Sequence, residues 1–227
     1  MCANVRGMLP ALADFRNPNS LASRMRARRN QWFRSRLENL PRPLTILDVG
    51  GTPSVWEAIN FADQPDIQIT LLNVYISPDF KTTHTNITNV LGDARDMHQY
   101  ADKQFDVVYS NSCIEHVGGI EDMRRMANEM RRVGKHYFLQ TPNRNFPVEP
   151  HFVFPMFQFL PLPVQVFLVQ HFSLGWFGKI PDREKAEREV RAIQLISKKD
   201  VQMLFPDANL KEEKFAGLTK SLLAYTV

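Results

Sequence analysis

Four polar runs in this chain each follow an apolar stretch, and their residue types suit one kind of ligand. The first is Asp48-Val49-Gly50-Gly51-Thr52-Pro53-Ser54, directly after Leu44, Ile46 and Leu47. Its two glycines permit positive φ and let a ligand lie against the backbone. Thr52 or Ser54 can cap a following helix, whose first N–H groups have no internal partner. The second run is 73–77, where the Asn73 amide can donate to and accept from ribose hydroxyls. The third is Gly92-Asp93-Ala94. The Asp93 carboxylate can accept a hydrogen bond from an adenine amino group, and the Ala94 N–H can donate to a ring nitrogen. The fourth runs from Ser110 through Asn111, Ser112, Cys113, Ile114 and Glu115 to His116. Together they describe a site for a nucleoside-bearing ligand.

Two histidines stand where proton transfer would be useful. His116 closes the fourth run and His151 opens an apolar segment. An imidazole titrates near working pH, so each is a candidate general base, with His116 the first choice. The alternative for each is a hydrogen-bonded structural role. The two cysteines, Cys2 and Cys113, offer neither a disulfide framework nor zinc-ligand spacing, and no metal site is expected.

The elements that must position these groups follow from periodicity. Apolar runs at 44–47, 67–74, 86–91, 105–110 and 136–140 read as strands. Residues 55–61 and 120–133 read as helices, the second amphipathic through Met123, Met126, Ala127, Met130 and Val133. Strands alternating with helices argue for a parallel sheet covered on both faces. The polar runs then meet at the carboxyl edge, where open α/β sheets bind ligands. Segments 210–216 and 221–227, separated by 217–220, suit an antiparallel hairpin.

Three stretches resemble the class I S-adenosylmethionine-dependent methyltransferases, in particular the small-molecule type 11 group. They are Ile46-Leu47-Asp48-Val49-Gly50-Gly51, Leu91-Gly92-Asp93-Ala94, and 105–112 with Glu115-His116-Val117. The likeness spans 44–140 and the closing strands. It implies a Rossmann-like, doubly wound sheet of seven strands with the last antiparallel, and S-adenosylmethionine as cofactor. It implies cofactor contacts at Asp48, Gly50, Gly51, Thr52, Asn73, Val74, Asp93, Ala94, Asn111 and Ser112. Two departures stand out. Thr52 and Ser54 occupy places where the family usually has glycine, and Asn73 or Tyr75 replaces the acid that usually meets the ribose. An uncharged amide makes a weaker contact than a carboxylate.

Outside this frame lie two further segments. Residues 1–43 read as an N-terminal basic extension with a helix over 21–40, capped at Asn19-Ser20 and stopped by Pro41 and Pro43; residues 1–18 read as irregular. Nine of the chain's arginines fall between Arg6 and Arg42, against Asp14 and Glu38 alone. The helix reads as a surface element with a solvated basic face, or as one that touches a membrane or an anionic substrate. Residues 44–227 read as the methyltransferase domain, with an insert over 143–190. Between Pro150 and Gly178 there is no charged residue, and phenylalanine is abundant. That segment is extra core, a lid over an apolar substrate, or an interfacial patch; its prolines exclude a simple spanning helix. Residues 181–191 read as a solvated charged helix, and Ser197 to Asp200 as a capping box.

The expected activity is methyl transfer to a small, apolar or amphipathic acceptor, with peripheral membrane contact through 21–40 or 150–178 and a cytoplasmic location. Ser110-Asn111-Ser112-Cys113 lacks the Asn/Asp-Pro-Pro-aromatic motif of amino-methylating nucleic-acid enzymes, which argues against nucleic acid. The alternatives are a non-catalytic protein of the same fold and a nicotinamide-dependent oxidoreductase, though Gly-x-Gly-x-x-Gly is not met from Gly50 onward.

Overall fold

A computed structural model describes residues 20–76 and 81–227. The expectations for 1–18, Asn19 and Ser77 lie outside those residues. The first helix, α1 (Leu21–Leu37), starts at Ser20, whose hydroxyl accepts from the Ser23 backbone N–H. It ends a turn before Leu40, ahead of Pro41. Six further elements follow: β1 (Leu44–Val49), α2 (Pro53–Ala58), β2 (Ile67–Asn73), β3 (Ile87–Leu91), β4 (Phe105–Asn111) and α3 (Ile120–Val133). After them come β5 (Gly134–Pro142), a two-residue hairpin of β6 (Val148–Glu149) and β7 (Phe154–Pro155), α4 (Leu162–His171), α5 (Arg183–Arg191), α6 (Lys198–Leu204), β8 (Asn209–Phe215) and β9 (Leu218–Tyr225).

Seven strands form one sheet in the order β3-β2-β1-β4-β5-β9-β8. β1 to β5 are parallel and β9 runs against β5. The order reverses between β1 and β4, which opens a crevice at their carboxyl ends. The closing turn uses Ala216 and Gly217, both at positive φ, as a two-residue hairpin loop.

Each face of the sheet carries its own apolar layer. On one side α3 contributes Met123, Met126 and Met130, packed with Val108, Leu139 and Phe205. On the other, Phe33 and Leu37 of α1 and Trp56 of α2 pack with Ile46, Tyr109 and Phe138. Phe33 lies 4.6 Å, centroid to centroid, from both Tyr109 and Phe138. Burying one such ring contributes about 1.5–3 kcal/mol. The basic helix is therefore a packed layer of the sheet and not merely a solvated face. Its Arg29 even makes a nearly buried ion pair with Glu213 of β8, at 2.9 Å.

The insert builds a third apolar cluster of its own. Phe152, Phe157, Val166, Val169, Ala186 and Val190 bury one another, joining the 150–178 segment to α5. The charged helix α5 is thus amphipathic: its outer face carries the Arg191–Glu187 pair, and Ala186 and Val190 face inward. Ser197 and Asp200 form the expected capping box. No helix among the described residues is long and apolar enough to cross a membrane.

Candidate active site

The turn after β1 is held from three sides. Gly50 has φ +75°, and a Cβ there would lie 2.5 Å from Cys113 Sγ. A Cβ on Gly51 would lie 1.8 Å from Asp48 Oδ2. No side chain fits either position, so both glycines are required by close approach, the first also by its dihedral. The Asn73 Nδ2 donates to the Gly51 carbonyl at 3.0 Å. Asn73 thus braces the glycine turn with one amide N–H, and its second N–H and its amide oxygen are left to meet a ligand. Thr52 stands at the N-cap of α2 without a capping hydrogen bond, because its hydroxyl pairs with that of Ser54 at 2.8 Å. Pro53, at the first helical position, supplies the pre-set φ instead.

Asp48 is fully buried beneath this turn. Its Oδ2 accepts from Trp56 Nε1 at 2.8 Å, and its Oδ1 has no protein partner. Burial raises its pKa to about 7, against the opposing pull of the Trp56 hydrogen bond. Asn111, at the end of neighbouring β4, likewise has a buried Oδ1 without a partner. Ser112, next in the chain, sits at φ +53° and donates its hydroxyl to Gln140 Oε1 at 2.9 Å. Its side chain is therefore committed to β5.

At the far end of the crevice, Val74 and Tyr75 are 69% and 64% exposed, and Leu91 is comparably open. Apolar side chains clustered beyond the tips of two adjacent strands make a surface that a flat base can cover. Asp93 lies beside them, with its carboxylate gripped by Arg95: Nη2 to Oδ2 is 2.6 Å and Nε to Oδ1 is 3.0 Å. The Arg95 side-chain hydrogen bonds hold the Asp93 pKa below the usual carboxylate range. The acid is thus a fixed anion, with lone pairs still open to a donor. Ala94 is buried behind it.

Both candidate histidines meet beyond the end of β4. The rings of His116 and His151 stand edge to face with centroids 4.9 Å apart. His116 belongs to a single 3₁₀ turn, Ile114–His116, and His151 to the β6–β7 hairpin, so the insert and the sheet edge converge here. Two acids complete the cluster. Glu149 is buried and accepts from His151 Nδ1 at 2.6 Å, as well as from the backbone N–H of His151 and Phe152. Glu115 is fully buried; its Oε2 accepts from Thr141 Oγ1 at 3.1 Å, and its Oε1 has no partner.

These surroundings drive the two imidazoles apart. Burial, and then the neighbouring His151, lower the His116 pKa to about 4, so it is neutral at working pH. Burial also acts to lower His151, but the Glu149 hydrogen bond and the charges of Glu149 and Glu115 outweigh it and raise the pKa. Burial pushes Glu115 up to about 7. Glu149 and Thr141 were not among the residues singled out from the sequence, and Glu115 was named only as part of the motif after β4, without a role. Glu149 did carry a signal, as the last acid before a long charge-free segment.

Beside the cluster lies a cleft of about 270 Å³, with Phe152, Phe157, Leu162 and Val190 on its apolar side and Arg144 and Arg191 among its polar groups. Glu149 lines this cleft and also holds His151, so cleft and cluster share a wall.

S-Adenosylmethionine carries an ammonium, ribose hydroxyls and an adenine amino group, all donors. The crevice presents the complementary set: two buried, unpartnered acceptor oxygens on Asp48 and Asn111, a glycine turn stripped of side chains, and an open apolar shelf at Val74, Tyr75 and Leu91. The residues present fit the group.

Comparison with known proteins agrees. Residues 47–137 match the family model described as a methyltransferase domain. A SAM-dependent methyltransferase from Aquifex aeolicus is 11% identical, with 96% of each chain covered and a TM-score of 0.50. The CurJ carbon methyltransferase gives a TM-score of 0.57 at 12% identity, over 91% of this chain and 55% of that one. An O-methyltransferase family protein from Burkholderia thailandensis gives 0.51 at 13% identity, over 88% and 56%. At such identities the solved structures speak for the fold alone. No curated protein matches in sequence.

Proposed function

We propose that this chain, a class I S-adenosylmethionine-dependent methyltransferase, acts on a small amphipathic acceptor with an apolar body and an anionic end. The observation that carries this reading is the shared wall of cleft and histidine cluster: Glu149 lines the cleft, whose walls mix apolar side chains with charged and amide groups, and is bonded to His151. A small molecule lying against Phe152, Phe157 and Leu162 would keep its acidic group near Arg144 or Arg191 and direct a hydroxyl or amine toward the cluster.

The cofactor supplies a sulfonium-activated methyl group, ready for displacement by a nucleophile. The chain's contribution is to hold donor and acceptor in line, which can supply much of the acceleration. Gly50 and Gly51 would admit the ligand to the backbone, and the unpartnered Asp48 Oδ1 and Asn111 Oδ1 are the acceptors that would meet its donors. For an acceptor that must lose a proton, neutral His116 or the deprotonated form of His151 takes it, and Glu149 stabilises the imidazolium formed on His151. Membrane contact, if an acceptor is lipid-borne, is better supported for the insert than for α1. Val164, Phe167 and Phe172 are exposed at α4 and its C-cap, whereas α1 is packed on the sheet.

The test is transfer of labelled methyl to a panel of hydroxyaryl and aliphatic acids alongside the same compounds without the acid group. The reading expects transfer to members of the acidic set and a weaker response from the neutral set. Transfer confined to nucleic acid or to protein would contradict it.

A further inference from the structure

We infer that Glu115, His116 and His151 form a binding site for one divalent transition-metal cation of the zinc class. One donor atom from each lies within 4.8 Å of the other two. Bonds of about 2.1 Å in tetrahedral geometry bring donors to about 3.4 Å, so side-chain closure of an ångström or so completes the shell. Two imidazoles and a carboxylate are the ligand set of catalytic zinc sites, which leave a position open for water or substrate.

Three further observations point to a cation site. First, the Oε1 of Glu115 is buried without a partner, although Oε2 is anchored by Thr141. An unmet carboxylate oxygen in the interior is destabilising, and a cation removes that cost. Second, each histidine has a support behind it. Glu149 grips His151 Nδ1 at 2.6 Å, leaving Nε2 as the free donor, and the electrostatics at His116 include a backbone contact with Ala192 that acts to raise its pKa. Carboxylate or carbonyl groups behind ligating imidazoles are the usual means of fixing ring orientation and tautomer. Third, two buried carboxylates, Glu115 and Glu149, lie beside the two imidazoles. A divalent charge balances them.

The ligands come from two parts of the fold. Glu115 and His116 sit on the 3₁₀ turn after β4, and His151 on the hairpin of the insert. A bound cation therefore ties the insert to the sheet edge. Its position beside the acceptor cleft rests on the methyl-transfer reading: there, in the cation-loaded form, its charge favours loss of a proton from an acceptor hydroxyl to solvent and the two histidines serve as ligands, so the base role given them above belongs to the cation-free form. The site itself does not depend on that reading.

The experiment is titration of the full-length, chelator-treated protein with Co²⁺ and then Zn²⁺, without S-adenosylmethionine. The expected result is one equivalent of Co²⁺ giving saturable visible d–d absorption, displaced by Zn²⁺, with a rise in Tm on loading. Glu115→Gln, His116→Ala and His151→Ala should each weaken Co²⁺ binding by about 10–100-fold or more. His84→Ala, at a surface imidazole held by Asp63 and Glu57, should leave it unchanged. Glu115→Gln retains an acceptor for Thr141, so a folded variant is available if the alanine forms are not. Absence of a saturable cobalt spectrum, or equal binding by wild type and Glu115→Gln, would overturn the site. A parallel S-adenosylmethionine titration separates the two claims: cobalt without cofactor binding sinks methyl transfer alone, and the converse sinks the cation site alone.

Discussion

Trp56 Nε1 donates to Asp48 Oδ2 at 2.8 Å beneath the glycine turn, and both side chains are fully buried. A tryptophan from α2 thus fixes the acid that ends β1, while the second carboxylate oxygen stays unpaired. This arrangement has a consequence for stability. Asp48 titrates near 3.8 in the unfolded chain and at about 7 in the fold. The folded protein binds that proton more tightly, so stability falls as pH rises from about 4 to about 7, and the loss is complete above 7. Three pKa units correspond to on the order of 4 kcal/mol as an upper figure. Urea unfolding of the ligand-free protein at about pH 5 and pH 8 should show a larger drop for wild type than for Asp48→Asn. Equal drops would mean that Asp48 is not the group responsible.

Gly51→Ala places a methyl on the Asp48 carboxylate, at 1.8 Å from Oδ2. The acid must move, and with it the Trp56 hydrogen bond. The variant should lose at least about 2 kcal/mol of stability and bind S-adenosylmethionine more than about 10-fold more weakly. Calorimetry and chemical unfolding check both. An alanine variant with wild-type affinity would remove the glycine turn from the cofactor site.

His151→Ala and Glu149→Gln act on the acceptor side. Each should lower kcat by about 10²-fold or more, with the dissociation constant for S-adenosylmethionine unchanged within about twofold. Steady-state kinetics beside cofactor titration makes the distinction. A matched loss in cofactor affinity would show that the cluster supports the crevice rather than the acceptor.

The insert can be removed as a unit, but its limits are set by packing. Ala186 and Val190 of α5 share an apolar cluster with Phe152 and Phe157, so excision of 150–178 alone would strand them. Replacing 146–192 by a short Gly/Ser linker removes the whole cluster. The product should bind S-adenosylmethionine within about threefold of wild type and transfer no methyl group. Full-rate transfer by the excised protein would contradict the role given to the insert.

The middle of the sheet was readable from the sequence because β1, β4 and most of β5 are buried on both faces and so appear as apolar runs ended by glycine or a polar cluster. β1, β2 and β4 needed no other signal. Helix α3 was legible through its methionine stripe. What periodicity could not reach were contacts between distant segments. Nothing local to Glu149 says that it will meet His151 at 2.6 Å, or that His151 will meet His116 from across the insert. Helix α1 reads as a surface element from its arginines, and Arg24, Arg28 and Arg36 are exposed while Phe33 and Leu37 seat it on the sheet; that Arg29 meets Glu213, 184 residues away, is a contact no local pattern shows. Asn73 reads as a ribose ligand by type and place, and no local pattern shows that one of its two amide N–H groups will also bond the Gly51 carbonyl.

The central claim is the cofactor, and isothermal titration of the purified protein with S-adenosylmethionine tests it most directly, with S-adenosylhomocysteine and NADH in parallel. The account predicts one site per chain of micromolar affinity for both adenosyl compounds, weakened by Gly51→Ala, and no heat with NADH. No saturable binding of either adenosyl compound, or tighter binding of NADH, would contradict it.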